Sequence, residues 1–200
     1  MTAKVALATS NEGKRAELAP LLEDLDIELV LPDSNLMNEI EEPGLTFIEN
    51  ALIKARAVSA HTQLPAIADD SGLSVNALGG KPGIHSARYA GSPSNAARNN
   101  EKLLAALSEV PDEERKASFQ CVLVYLRQSD DPVPLVGVGS WAGEILREPR
   151  GTQGFGYDPL FFVPGLNRTA AELSTVEKNG ISHRARAAEQ LLKKLKDDFR

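Results

Sequence analysis

Apolar and polar positions change period along the chain. Val5, Ala6, Leu7 and Ala8 form a short apolar run closed by Thr9, which predicts a first strand over residues 5–9. Leu18, Leu21, Leu22 and Leu25 then recur at the spacing of one helical face. Residues 27–31 read as a second strand, ended by Pro32 and Asp33, and residues 35–44 as an acidic, irregular segment. Thr46 and Glu49 have capping-box spacing. The helix they open puts Ile48, Ala51, Leu52 and Ala55 on one face. Asn50 and Lys54 share another, four residues apart.

Residues 65–68 predict a short strand running straight into Asp69-Asp70-Ser71-Gly72. Gly79, Gly80, Lys81, Pro82 and Gly83 mark a loop, and residues 94–107 a helix. Residues 119–126 and 133–145 read as two antiparallel strands joined near Asp130-Asp131-Pro132. A glycine-rich loop over 151–158 and a strand over 160–163 follow. The last helix starts near Ser182 and carries Leu191, Leu192, Leu195 and Phe199. Alternating strands and helices, then a hairpin, imply an α/β protein with a mixed sheet.

The 200 residues suit one domain, 1–200, with room for two lobes and a proper core. A net charge of −6 argues against a duplex-binding face, but a pocket can be locally basic inside an acidic protein. The single cysteine, Cys121, excludes an internal disulfide and fits a reducing compartment. No apolar stretch is long enough for a membrane span, and the start reads as a strand, not as a signal peptide. The expected location is the cytoplasm, with no nucleic-acid or membrane partner.

Candidate chemistry gathers in four segments. Thr9, Ser10, Asn11, Glu12, Gly13 and Lys14 lie between a strand and a helix, where free backbone N–H groups, small donors and one ammonium suit a phosphate. The segment is not a Walker A loop, because Ala8 stands where glycine is expected and Arg15 where serine or threonine is expected. An ordinary polar turn with a solvated lysine is the other reading. Asp69 and Asp70 sit at the end of a buried-looking strand, where α/β sheets collect ligands. Adjacent carboxylates repel unless a cation or proton separates them. Hard oxygens suit magnesium, which takes one or two carboxylates plus substrate phosphates. Glu41 and Glu42 offer a second acidic site. Turn chemistry alone also explains Asp-Ser-Gly.

Gly151, Gly154 and Gly156 let a backbone approach a ligand, and Phe155 or Tyr157 can stack on a base; both aromatics also suit a core. Ser182, His183 and Arg184 open the last helix after Lys178, a pattern that a capped helix with a solvated face explains as well. Cys121 and Trp141 read as packing, and His61 and His85 show no metal-ligand spacing.

Taken together, these segments resemble the inosine and xanthosine triphosphate pyrophosphatase (ITPase) family. The matching stretches are Leu7-Ala8-Thr9-Ser10-Asn11 with Lys14, Thr46-Phe47 with Glu49-Asn50-Ala51, Lys54-Ala55, Ala68-Asp69-Asp70-Ser71-Gly72-Leu73, Pro82-Gly83 with Ser86-Ala87-Arg88-Tyr89, Gly154-Phe155-Gly156-Tyr157-Asp158-Pro159, and Glu177-Lys178 with Ser182-His183-Arg184. They keep the family's order from end to end. The resemblance implies a long central mixed sheet flanked by helices, two lobes with an active-site cleft between them, and a homodimer. It implies hydrolysis of ITP, dITP or XTP to monophosphate and pyrophosphate, with Mg2+ as cofactor. By the same resemblance Thr9, Ser10, Asn11, Glu12, Gly13, Lys14 and Lys54 hold the triphosphate. Glu42 and Asp70 serve magnesium, with Asp69 beside them and Asp70 as proton acceptor for the attacking water. Ser71, Phe155, Gly156, Tyr157, Asp158, Lys178, His183 and Arg184 line the nucleotide site. Two departures stand out: Ser10 where many members have glycine, and His85 where many have an aromatic.

Overall fold

β1 (Ala3–Ala8) runs parallel to both its neighbours, β2 (Ile27–Val30) and β3 (Ala66–Val75). Parallel neighbours need a crossover, and two helices provide it. α1 (Glu12–Leu21) lies between β1 and β2 in the chain, and α3 (Phe47–Thr62) between β2 and β3, with the short α2 (Ser34–Glu39) ahead of it. After α4 (Ala96–Ala106) come β4 (Lys116–Leu126), β5 (Leu135–Ile145), β6 (Phe161–Val163) and β7 (Arg168–Thr169). β6 is antiparallel to both β5 and β7. The seven strands form one mixed sheet in the order β2-β1-β3-β4-β5-β6-β7. α5 (Thr175–Ile181) and α6 (His183–Asp198) complete the chain. This computed structural model describes residues 3–23, 25 and 27–198; Phe199, expected on the last helix, lies outside the described residues.

Several local expectations change. The acidic segment before α3 contains α2, which Asp33 caps by accepting from the Asn35 amide; its single turn is too short for a periodic signal. β3 does not stop at Ala68 but continues through the two aspartates to Val75. α5 is also new: Ser174 and Glu177 form a capping box around a helix too short to show a face. The capping box read from Thr46 and Glu49 is present, with both reciprocal bonds made.

The chain forms two compact units, Met1–Asp70 with Cys121–Gly139 and His183–Arg200, and Ser71–Gln120 with Ser140–Ser182. In the first unit the period-2 alternation of the strands sorts side chains into two cores. Val5, Leu7, Ile67, Cys121, Leu123 and Tyr125 pack with Leu18 and Leu22 of α1 and Leu191 and Leu195 of α6. Ala6, Ala8, Ala66, Ala68, Val122 and Val124 pack instead with Ala51, Ala55 and Val58 of α3. Alanines on both sides leave no bulky side chain between α3 and β1. The second unit closes around Phe119, Trp141 and Phe161, whose rings meet at 4.4 Å and 5.2 Å, with Leu103 of α4 and Leu107 just after it in the same core.

Candidate active site

The alternation that builds the two cores does not end with the apolar residues of β3. Ile67 faces α1 and α6, and Ala66 and Ala68 face α3. The next odd position, Asp69, meets the α1 and α6 side, and the next even one, Asp70, the α3 side. The last parallel pair with β1 is Ala8↔Ala68, so the aspartates begin where β1 gives way to the turn at Thr9. They are interior to β3, not at its end. Each has its own cations on its own face, so no cation has to lie between the two.

On the first face Asp69 is sealed. Lys14 Nζ lies 2.5 Å from Oδ1, and Arg184 Nε donates to Oδ2 at 2.9 Å. The Cys121 thiol also donates to Oδ2, at 3.1 Å. Arg184 Nη1 donates in turn to Glu17 of α1. Arg184 is 1% exposed, so a guanidinium and three carboxylate or thiol groups share a dry site. Burial alone would lift the Asp69 carboxyl, yet Arg184 and Lys14 hold it well below its usual range. Burial likewise works against the Arg184 cation, but Asp69 and Glu17 outweigh it and its pKa is raised. Burial, with Asp69 beside it, pushes the Cys121 thiol well up, so it stays a donor.

Lys14 reaches Asp69 because of how α1 starts. Asn11 N donates to Thr9 Oγ1 at 3.1 Å, and Asn11 Oδ1 accepts from Lys14 N at 3.0 Å, capping the helix. Ser10, Asn11 and Glu12 are exposed around this turn, while Thr9, Gly13 and Lys14 are half-buried; Arg15 is exposed.

On the other face Asp70 Oδ1 accepts from Lys54 Nζ at 2.8 Å, and Glu42 Oε2 accepts from the same ammonium at 3.0 Å. Asp70 Oδ2 is buried and, among the described residues, has no hydrogen-bond partner. Burial raises the Asp70 carboxyl, against the pull of Lys54 and Lys14. Burial also works against the Lys54 ammonium, but Asp70 and Glu42 prevail and raise it. The segment carrying Glu42 is pinned to α3 where the Gly44 amide donates to Asn50 Oδ1 at 2.8 Å. Glu41 is exposed and takes no part in this pairing.

The first unit also holds His183 and Arg184, at the start of α6. A Cβ on Gly139 of β5 would strike the His183 carbonyl and the Ala187 amide, and one on Gly137 the Ala187 carbonyl. Bare glycine backbone therefore lets α6 lie directly on β5, which fixes where its first turn sits. The Arg184 guanidinium is committed to Asp69 and Glu17, and His183 is itself buried.

In the second unit Asp158 organises the glycine-rich loop. Its Oδ2 accepts from Phe155 N at 2.9 Å and from Lys178 Nζ at 2.5 Å. Lys178 Nζ lies 5.2 Å from the centre of the Phe155 ring. Gly154 has φ +73°, and a Cβ there would strike Asp158, so glycine is required. Tyr157 is buried, its hydroxyl donating to the Ser86 carbonyl at 2.8 Å. Phe155 is half-buried, the less enclosed of the two aromatics. Gly156 is tied to α4 by Asn100 Nδ2 at 3.0 Å. Ser71, half-buried, follows Asp70 directly in β3.

Comparison with known proteins now bears on these groups. A model described as the Ham1 family matches residues 5–194. The chain belongs to the Ham1 family. A relative in Shigella flexneri, named dITP/XTP pyrophosphatase, is 57% identical over 97% of this chain and 98% of its own length. The solved structure of a HAM1 protein from Coxiella burnetii superposes with a TM-score of 0.87 at 49% identity, covering 98% of this chain and 99% of that one. The Staphylococcus aureus Ham1 protein does so with a TM-score of 0.84 at 39% identity, over 98% and 99%.

Among the described residues no three histidine, cysteine, aspartate or glutamate side chains gather as a closed metal cage. Magnesium does not need one, since it is usually held by one or two carboxylates and completed by water and phosphate. Glu42 and Asp70 of this Ham1 protein fit that pattern. They converge on one cation already, and Asp70 keeps a buried oxygen with no partner. Asp69 does not fit, because both its oxygens are taken.

Proposed function

We propose that this Ham1 protein is a Mg2+-dependent pyrophosphatase that hydrolyses deaminated purine nucleoside triphosphates (ITP, dITP and XTP) to the monophosphate and pyrophosphate. The observation that carries the reading is the division of labour between adjacent carboxylates. Asp69 is neutralised by Arg184 and Lys14, whereas Asp70 has a raised pKa and a buried oxygen that, among the described residues, has no hydrogen-bond partner. A group placed like Asp70 accepts a proton from water. The names of relatives that match 97% of the chain support the same chemistry.

Water attacks the α-phosphorus, Asp70 Oδ2 takes its proton, and the bridging α–β oxygen leaves with pyrophosphate. Lys14 and Lys54, one on each face of β3, stabilise charge on the phosphates. When bound at Glu42 and Asp70, magnesium supplies further positive charge against the triphosphate. For the base, the half-buried Phe155 of the second unit is the stacking candidate. A homodimer and a cytoplasmic location belong to the same proposal; no helix among the described residues is long and apolar enough to cross a membrane.

Product analysis tests the reading. Inosine triphosphate with magnesium should yield inosine monophosphate and pyrophosphate. Diphosphate and phosphate would mean cleavage at the γ position, and no product would mean a nucleotide-sensing module.

A further inference from the structure

Lys54 Nζ stands where a cation between Glu42 and Asp70 belongs. It lies 3.0 Å from Glu42 Oε2 and 2.8 Å from Asp70 Oδ1, on a side chain that is 8% exposed. The two carboxylates come from 12 residues before Lys54 and 16 after it. They meet only through its ammonium. A divalent ion that takes both oxygens must therefore first be rid of a positive charge in hydrogen-bond contact with each.

The backbone around this lysine is fixed by contacts of its own. Thr46 and Glu49 cap α3, and the Gly44–Asn50 bond holds the Glu42 segment to that helix. Lysine carries a compact charge on a flexible four-carbon stem, so the ammonium can leave without moving α3. A triphosphate offers it a more negative partner than a shared carboxylate. Lys14 is bonded to Asp69 on the opposite face of β3, so the ammonium between Glu42 and Asp70 is that of Lys54.

We propose that Lys54 is a placeholder cation that couples metal binding to triphosphate binding. With no nucleotide present it occupies the two carboxylates and keeps divalent ions weakly bound. Triphosphate draws the ammonium onto its phosphates and frees Glu42 and Asp70 for the metal. By linkage the effect is reciprocal, so metal tightens triphosphate by the same factor. The protein is thereby kept from filling its site with metal when there is nothing to cut. This rests on the reading of Glu42 and Asp70 as the metal-facing pair given under Proposed function.

The test is Mn2+ titration, followed by calorimetry and by the resonance of free Mn2+, with and without a non-hydrolysable α,β-imido analogue of inosine triphosphate. In the wild type the analogue should tighten Mn2+ by roughly 5–150-fold, the usual range of such coupling. Lys54→Met should bind Mn2+ more tightly than wild type without the analogue and gain less when it is added. Chelation by the phosphates themselves survives in the variant, so only the lost part of the coupling belongs to the lysine. Lys14→Met removes a cation of the same cluster and should leave nucleotide-free Mn2+ binding nearer to wild type. Equal tightening by both variants, or none in a folded Lys54→Met protein, overturns the proposal. If Lys54→Met does not fold, Lys54→Gln replaces it, and a wild type without coupling overturns the proposal by itself. Asp70→Asn in the Lys54→Met background separates the two readings. Loss of the tight Mn2+ site supports both, whereas an unchanged site places the metal elsewhere and sinks the metal assignment. Product analysis of inosine triphosphate then still decides the pyrophosphatase reading on its own.

Discussion

Asp69→Asn and Asp70→Asn are chemically the same change at adjacent positions, and they should have opposite phenotypes. Asp69 is held well below its usual range by Arg184 and Lys14, so the native state depends on its charge. Asparagine there leaves a fully buried guanidinium short of one carboxylate. Breaking a buried pair in this way typically costs about 3–5 kcal/mol. Whole-protein stability is only about 5–15 kcal/mol, so about a fifth or more of it is at stake. For a chain of this length each kcal/mol moves Tm by roughly 2–4 °C, giving an expected drop of roughly 6–20 °C. Asp70 has a raised pKa, which means that its ionised form costs native stability above the folded-state value. Asparagine removes that cost while Lys54 keeps Glu42, so Tm should change little. Turnover, however, should fall by about 10²–10⁴-fold or more, because the proton acceptor is gone. Thermal unfolding of both variants, with product release measured well below either Tm, decides the matter. A stable Asp69→Asn protein, or an Asp70→Asn protein that unfolds as early as Asp69→Asn, would refute the assignment of the two faces.

Other outcomes follow from the same geometry. The acid limb of kcat/KM should lie above 3.8, the ordinary aspartate value, because Asp70 must be ionised to work and its pKa is raised; a limb at or below that value would exclude it as the base. The stability gap between wild type and Asp69→Asn should be full above the ordinary aspartate range and should close as pH falls through the depressed Asp69 value, which denaturation across an acid series would show. Lys14→Ala should weaken triphosphate binding and slow turnover much more than Arg15→Ala, since the half-buried Lys14 stands close enough to act on the Asp70 carboxyl and Arg15 is exposed; equal KM and kcat effects would mean that α1 opens no directed phosphate site. ITP and XTP should be preferred over ATP, because a site that donates to the keto oxygen at position 6 meets the amino group of adenine donor to donor; such mismatches reach about 10⁴–10⁵-fold, and equal kcat/KM for ITP and ATP would overturn the base reading.

The residues that proved legible in the sequence are those whose signal is local. The Thr46–Glu49 box, the leucine face of α1 and the strand before Asp69 can each be read within a few positions. Polar signals that depend on distant partners were not legible. Glu17 reads as one more charged residue on a helix, and only the fold brings Arg184 to it from 167 residues away. Cys121 reads as core, which it is, but its thiol is also a donor to Asp69. The Asp69–Asp70 pair was visible as an acidic site, yet its division was not, because a strand expected to end at Ala68 has no further faces to divide. Gly137 and Gly139 carry no motif, and their role appears only when α6 lies on β5.

The placement of cations on both faces of β3 also bears on how the strand finds its register. Ile67 on one face and Ala66 and Ala68 on the other already favour one pairing against β1, and the two aspartates reinforce it. A shift by one residue exchanges the two faces of a strand. Moved one way, Ala68 would stand opposite Arg184 and Lys14; moved the other, Ser71 would stand opposite Lys54. Either slip strands a buried cation without its carboxylate, a penalty of several kcal/mol. The adjacent aspartates therefore act as a two-sided key for strand pairing, and the chain is driven into the one alignment that gives each buried cation its carboxylate.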